Sequence, residues 1–270
     1  MSEYMQTYQV KRVMTHNEGL KSFRFDRVIE AEPGQFVLVW LPGADEKPFA
    51  LSGVFEHEIE ITVKAVGPFT SQFMNVKAGD WVGLRGPFGN GFQPMEGMVL
   101  VGGGIGNAPL RYLAQCLREE KLLFRWVIGV KTAEDLAFRD ELETMPECTI
   151  VSEDGSIGKK GRAVDVLAAL NDSEPIIVLA ASGPEPMLLA VHGFANTFSP
   201  DIPVQLSFER YMKCAVGLCG QCCLDGTGLR VCVEGPVLSG HQVQGVTEWG
   251  RPHRGPSGRR PPQKQAVQHE

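Results

Sequence analysis

The chain has 270 residues, 43% hydrophobic and 21% charged, with a formal charge of −6. That length suits two domains and a small third module, the composition is that of a soluble globular protein, and the charge argues against nucleic acid as a partner. No apolar run reaches the length of a bilayer span. Met1-Ser2-Glu3-Tyr4 lacks a basic segment leading into an apolar stretch, so no membrane association and no secretory signal are expected, and the cytoplasm is the default location.

Residues 1–95 read as all-β. Short apolar or alternating runs recur at Gln35–Trp40, Ile59–Val66 and Trp81–Arg85. Pro33-Gly34, Pro42-Gly43, Gly67-Pro68, Gly79-Asp80 and Gly86-Pro87 punctuate them, which predicts a small antiparallel barrel. Over 96–205 the period changes. Met98–Val101, Leu122–Val130 and Ile176–Ala181 read as buried strands. The stretch after Asn107, Ala133–Glu143, Arg162–Leu170 and Pro184–Phe194 read as helices. Strands alternating with helices predict an α/β domain with a parallel sheet covered on both faces. A cysteine-bearing module occupies 206–245, and the tail 246–270, rich in Pro, Gly, Arg and Gln, reads as disordered.

The module holds Cys214, Cys219, Cys222 and Cys232, spaced C-x4-C-x2-C with the fourth after a turn-rich insert. That is the plant-type spacing for a [2Fe–2S] cluster held by four thiolates. Gly217 and Gly220 permit the positive-φ turns of a tight loop. Asp225-Gly226 signals a hairpin that returns Cys232 to the loop. A zinc site asks for two C-x2-C-like pairs, and only one is present. A disulfide framework belongs to small secreted chains. Cys223 reads as a non-ligand, and Cys116 and Cys148 as small buried hydrophobes. Thiolate ligands also need a reducing compartment.

Other segments look fit for nucleotides. Gly102-Gly103-Gly104-Ile105-Gly106-Asn107-Ala108-Pro109 follows a predicted strand and opens a predicted helix, where a backbone turn can approach a pyrophosphate. Its third fingerprint glycine is replaced by Pro109. The acidic ribose-binding residue is not obvious, and Lys131 after the second strand leaves NADH and NADPH both open. Ser182-Gly183-Pro184 lies at the C-terminal end of a parallel strand, where ligands sit in such sheets. Lys47-Pro48-Phe49-Ala50-Leu51-Ser52 joins a cation, an aromatic and a hydroxyl. Taken alone it reads as a Pro-containing loop with a core Phe. Gly67 to Thr70 reads as a helix start, and Gly86–Phe92 as the crossing between the domains.

Together these motifs resemble the ferredoxin-reductase superfamily. The run Phe208–Cys214 through Val231-Cys232-Val233-Glu234-Gly235-Pro236-Val237 is similar to the electron-transfer subunits of NAD-dependent dihydroorotate dehydrogenases. Gamma subunits of hydrogenases and ferredoxin:NAD(P) oxidoreductases share the layout. The resemblance implies a barrel that binds FAD, an NAD(H)-binding α/β domain and a [2Fe–2S] module. It also implies hetero-oligomeric assembly with an FMN-containing catalytic subunit that oxidises dihydroorotate. It matches Lys47, Pro48, Phe49 and Ala50 to an Arg-Pro-x-Ser flavin motif, and Gly67 and Thr70 to a second flavin segment. Lys47 replaces a bidentate Arg with a point charge. Ala50 lacks the expected hydroxyl, leaving Ser52 or the backbone to serve. Ser182 stands where Cys is common. No general base for dihydroorotate oxidation is apparent, as expected of an electron-transfer subunit. The rival from another class is a non-redox module with zinc on the cysteines and a regulatory nucleotide.

Overall fold

The computed structural model describes residues 2–27, 29–198, 202–251 and 253–260. Six strands form the first unit: β1 (Ser2–Asn17), β2 (Leu20–Asp26), β3 (Phe36–Trp40), β4 (Glu46–Val54), β5 (Glu58–Lys64) and β6 (Trp81–Phe88). They close into an antiparallel barrel in the order β1-β2-β5-β4-β3-β6, and closure removes the exposed edges that an open sheet must protect. Alternating side chains fill the interior, with Phe23, Phe25, Val37, Val39, Ile59, Ile61, Val82 and Leu84 all buried, as period-2 strands require. A short helix, α1 (Pro68–Phe73), adds Phe69 and Phe73 to that core.

Two features of the barrel depart from expectation. β1 gives no apolar signal, because it is largely exposed and polar along its length. Lys47–Ser52 is strand, not loop. Pro48 pairs with Leu38 of β3, whereas β5 pairs only with Leu51, Gly53 and Val54. The proline therefore sits where β4 has a single ladder partner.

The second unit is a seven-stranded sheet. Its strands are β7 (Met98–Gly103), β8 (Phe124–Val130), β9 (Cys148–Ser152), β10 (Lys159–Lys160), β11 (Val178–Ser182), β12 (Val204–Ser207) and β13 (Val237–Ser239), in the order β10-β9-β8-β7-β11-β12-β13. All neighbours are parallel except β13 on β12. Met98 and Leu100 enter one buried cluster and Val99 and Val101 the other. This is why the central strands read as unbroken apolar runs. Helices α2 (Asn107–Glu119), α3 (Arg139–Glu143), α4 (Leu167–Ser173) and α5 (Glu185–Phe198) connect them. The helix expected over Ala133–Glu143 is broken into a 3-10 turn, Ala133–Asp135, and α3. Phe138 between them takes φ 58°, and its ring packs edge-on to His16 of the barrel and under Arg111. A tertiary contact overrides helical propensity there. Arg162–Leu170 likewise begins as a 3-10 turn, Ala163–Val166, before α4.

Helix α2 joins the two units. Tyr112 donates to the Ala31 carbonyl at 2.6 Å and Gln115 to the Val54 carbonyl at 3.0 Å. Arg111 reaches Glu60, wholly buried in the barrel, at 3.0 Å. The cysteine module, residues 208–236, is an insertion between β12 and β13, so its exit strand completes the parallel-sheet unit. The tail is not wholly disordered. Val246 and Glu248 are buried, and Trp249 packs on Phe208 with ring centroids 5.1 Å apart. An apolar anchor and a buried carboxylate are signals that composition alone hides. Residues 261–270 lie outside the described residues.

Candidate functional site

Barrel, sheet, module and tail meet around one cavity of about 580 Å³, within the usual range for small-molecule sites. The barrel contributes Lys47, Pro48, Phe49 and Ala50 from β4, and Gly67 and Thr70 from the start of α1. The sheet contributes Gly106, Pro109 and Ser182, and the module contributes Glu209 to Met212. Segments far apart in sequence thus share one wall, as the resemblance implies.

Lys47 stands at the rim. Burial works against its charge, but hydrogen bonds to Asp45 and to the Tyr211 hydroxyl, 3.4 Å away, outweigh it and raise the ammonium pKa. It remains cationic at neutral pH and is suited to an anionic ligand group. Phe49 joins a stack with Phe69 and Phe73, each with centroids 6.1 Å away, and also lines the cavity. The Thr70 hydroxyl accepts from the amides of Val66 and Gly67 at 2.9 and 3.0 Å and so shapes the turn into α1.

Ser52 does not reach the cavity. It is fully buried, donates to Glu60 at 3.1 Å and accepts from Thr62 at 2.9 Å. It therefore serves the buried network of Glu60, Arg24 and Arg111. Leu51 enters the barrel core, so Ser52 lies on the opposite face of β4, where Glu60 and Arg111 of α2 cover it past a register shift between Leu51 and Gly53, a consequence invisible while the segment read as a loop.

The glycine-rich turn is built by close backbone packing. β7 ends at Gly103, a 3-10 turn spans Gly104–Gly106, and α2 follows. A Cβ on Gly106 would strike the Ser182 carbonyl, one on Gly102 the Asn107 side chain, and one on Gly183 the backbone of Gly103 at 2.9 Å. The C-terminal ends of adjacent strands β7 and β11 are thus pressed together, with Ser182 opposite Gly102. Gly106, Pro109 and Ser182 face the cavity; Gly102, Gly103, Gly183 and Pro184 pack behind this wall, while Gly104, at φ 53°, has open space beside it and does not line the cavity.

The four cysteines stand as two pairs. The Cys219 amide donates to the Cys214 sulfur at 3.5 Å, and the Cys232 amide to the Cys222 sulfur at 3.4 Å. Burial raises the Cys214 pKa, but amides of Cys219, Val216 and Leu218 bring it down to about 7. The Cys232 thiol and nearby amides bring Cys222 down to about 6. Thiolates with aimed N–H groups suit a metal centre. Among the described residues no three Cys, His, Asp or Glu groups surround a single ion. Two pairs fit two irons with two thiolates each better than one tetrahedral zinc. The loop turns at Ala215, Gly217 and Gly220, all with positive φ, and a Cβ on Gly217 would meet Arg230 and Val233 at 2.8 Å. The hairpin closes through Leu224 N–H to the Leu229 carbonyl at 2.8 Å. Cys223 belongs to its ladder, paired with Arg230. Burial pushes the thiols of Cys116 up to about 11 and Cys148 up to about 12, so both are inert.

The crossing after β6 is tied to the module exit. The Asn90 side chain donates to the carbonyls of Val233 and Glu234 at 3.2 and 3.0 Å. Sequence reasoning missed Tyr211, Arg210, His253 and Arg254 on the cavity wall. Proximity to Cys214 is a signal for the first two. The last two lie in a stretch whose composition gives none.

Barrel, parallel sheet, shared cavity and paired cysteines define an oxidoreductase of the ferredoxin-reductase type carrying an iron–sulfur module. A profile described as the iron–sulfur cluster binding domain of dihydroorotate dehydrogenase B matches residues 209–244. A relative from Methanothermobacter thermautotrophicus, named a probable dihydroorotate dehydrogenase B (NAD(+)), electron transfer subunit, is 43% identical over 263 residues, covering 94% of this chain and 96% of its own. One of the same name from Methanocaldococcus jannaschii is 38% identical, covering 93% and 96%. The solved NADH-dependent reduced ferredoxin-NADP oxidoreductase, studied for flavin-based electron bifurcation, superposes with a TM-score of 0.78 at 27% identity, covering 87% of this chain and 88% of that one. The chain belongs to the family of dihydroorotate dehydrogenase B electron-transfer subunits. Among the described residues no helix is long and apolar enough to cross a membrane.

Proposed function

We propose that this chain passes electrons between NAD(H), FAD and a [2Fe–2S] cluster, to or from an FMN-containing catalytic subunit that interconverts dihydroorotate and orotate in pyrimidine biosynthesis. One observation carries the reading. Glu209 to Met212 line the cavity, and the same run reaches Cys214 two residues later. A flavin exchanges electrons in pairs with a nicotinamide and singly with an iron–sulfur centre, so it belongs between them.

The chain's own residues bind and orient. Lys47, Pro48, Phe49, Ala50, Gly67 and Thr70 form the flavin wall. The turn of Gly102, Gly103, Gly104 and Gly106 with Pro109, together with Ser182, Gly183 and Pro184, forms the nicotinamide nucleotide side. Cys214, Cys219, Cys222 and Cys232 hold the cluster. Exit lies at the loop tip, where Cys219 is exposed and Leu218 is 85% exposed. Residues 1–95, the sheet unit from 96 to 207 with its closing strand β13, and the inserted module 208–236 correspond to these three tasks. Thiolate ligands favour a reducing compartment, hence the cytoplasm.

Co-expression with an FMN-containing dihydroorotate dehydrogenase subunit tests this. The two should co-purify and couple dihydroorotate oxidation to NAD⁺ reduction, and failure of both sinks the proposal. A second reading, as the small subunit of a ferredoxin:NAD(P) oxidoreductase, is favoured by the TM-score of 0.78 to that enzyme. Co-purification with a multi-cluster partner instead would select it.

A further inference from the structure

The segment that follows the cysteine module is bound at three places. Trp249 packs on Phe208 and stacks on His192 with centroids 6.2 Å apart. Glu248, 2% exposed, accepts from Arg210 at 3.1 and 2.9 Å and also pairs with Arg260. Arg210 extends to Glu185 at 3.2 Å, and His253 reaches the other oxygen of that carboxylate at 3.0 Å. Arg254 donates to the Cys223 carbonyl at 2.9 Å and pairs with Asp225, which also takes Arg260.

Three carboxylates and three guanidiniums therefore balance across three elements: the start of α5 beyond Ser182, the entry to the module, and the hairpin beyond Cys222. Arg210 has a side chain only 4% exposed. Departure of the segment would strip a buried cation of a partner, which opposes release. The same segment places His253 and Arg254 on the cavity wall. His253 Nδ1 has no hydrogen-bond partner among the described residues.

We propose that residues 248–251 and 253–260 form a strap that clamps the cluster hairpin to the cavity and supplies His253 and Arg254 as positioning residues on its wall. The inference rests on the flavin reading of that cavity and adds a wall that the matched cluster profile, ending at residue 244, does not include. The strap shields the bound ring from solvent and fixes the hairpin that carries Cys222 and Cys232.

The test compares the full chain with a chain ending at Thr247 and with Asp225→Asn, a partly exposed site whose substitution leaves the core intact. Asp225→Glu serves as the conservative rescue. Flavin and iron content should hold in Asp225→Asn and Asp225→Glu. Iodide quenching of flavin fluorescence should rise severalfold in the truncated chain and in Asp225→Asn, and return towards the full-chain value in Asp225→Glu. Equal quenching in all four proteins overturns the strap. Trypsin cleavage between Arg254 and Gly255 gives a reading independent of flavin. It should be slow in the full chain and severalfold faster in Asp225→Asn, and equal rates overturn the proposal. Should the full chain bind no flavin, the cavity reading falls, and the cleavage rates alone decide the strap.

Discussion

Arg85, on barrel strand β6, donates to the backbone carbonyl of Cys214 at 3.1 Å. Its guanidinium is held in place by Glu46, with contacts of 2.5 and 2.9 Å. The first cysteine of the proposed cluster set is thus anchored to the barrel that carries the proposed flavin wall. Arg85→Met should cost about 1.5–3 kcal/mol, as for hydrogen bonds to charged groups. Each kcal/mol lowers the melting temperature by about 2–4 °C in a chain of this size. Iron should also leave faster on chelator challenge, with flavin content unchanged. Chelation at the normal rate would mean that the contact does not hold the loop.

Gly106 allows α2 to approach the Ser182 loop. Gly106→Ala puts a methyl against the Ser182 carbonyl, an overpacking expected to cost about 1–3 kcal/mol. The loops should part, so KM for NADH should rise more than kcat falls. Steady-state kinetics with a dye acceptor reads the split.

Ser52→Ala should separate a structural residue from a flavin ligand. It removes one partner of buried Glu60 while Arg24 and Arg111 remain. A loss of about 1–3 kcal/mol is expected for an under-satisfied buried group. The flavin absorption maximum should not move. A shifted flavin band would return Ser52 to the cavity.

Burial raises the Glu185 carboxyl pKa, but the hydrogen bond to His253 and the charge of Arg210 outweigh it and hold the value below the ordinary range. A depressed folded pKa contributes stability that is complete above the unfolded value, near 4.5, and is lost as pH falls through the folded one. Acid should therefore loosen the strap's hold on α5. Thermal melts from pH 7 down to about pH 3 should fall less steeply in Glu185→Gln than in the parent chain, because that contribution is absent in the variant.

Cys219→Ser removes the most exposed of the four proposed cluster ligands. Iron content should fall and electron delivery to the partner subunit should stop, while NADH still reduces the flavin. Full coupled turnover in this variant would exclude the cluster as the exit.

The sequence made the cluster legible because C-x4-C-x2-C is a local pattern with one dominant chemical reading. The sheet was legible because its central strands are buried on both faces and its turns are rich in Gly and Pro. β1 was not, since an exposed polar strand has no apolar period. Ser52 was misassigned because face depends on register, and Pro48 disguised a strand as a loop. His253 and Arg254 escaped because their place on the wall follows from contacts with Glu185 and Asp225, which no local pattern encodes.

The most direct measurement is an anaerobic NADH titration of the purified chain, followed by absorbance and by electron paramagnetic resonance. The expected result is loss of the flavin band together with a reduced two-iron signal, in protein holding iron and acid-labile sulfide in equal amounts. A protein that holds zinc in place of iron, or whose iron centre stays silent while the flavin is reduced, would contradict an exit for electrons through Cys214, Cys219, Cys222 and Cys232.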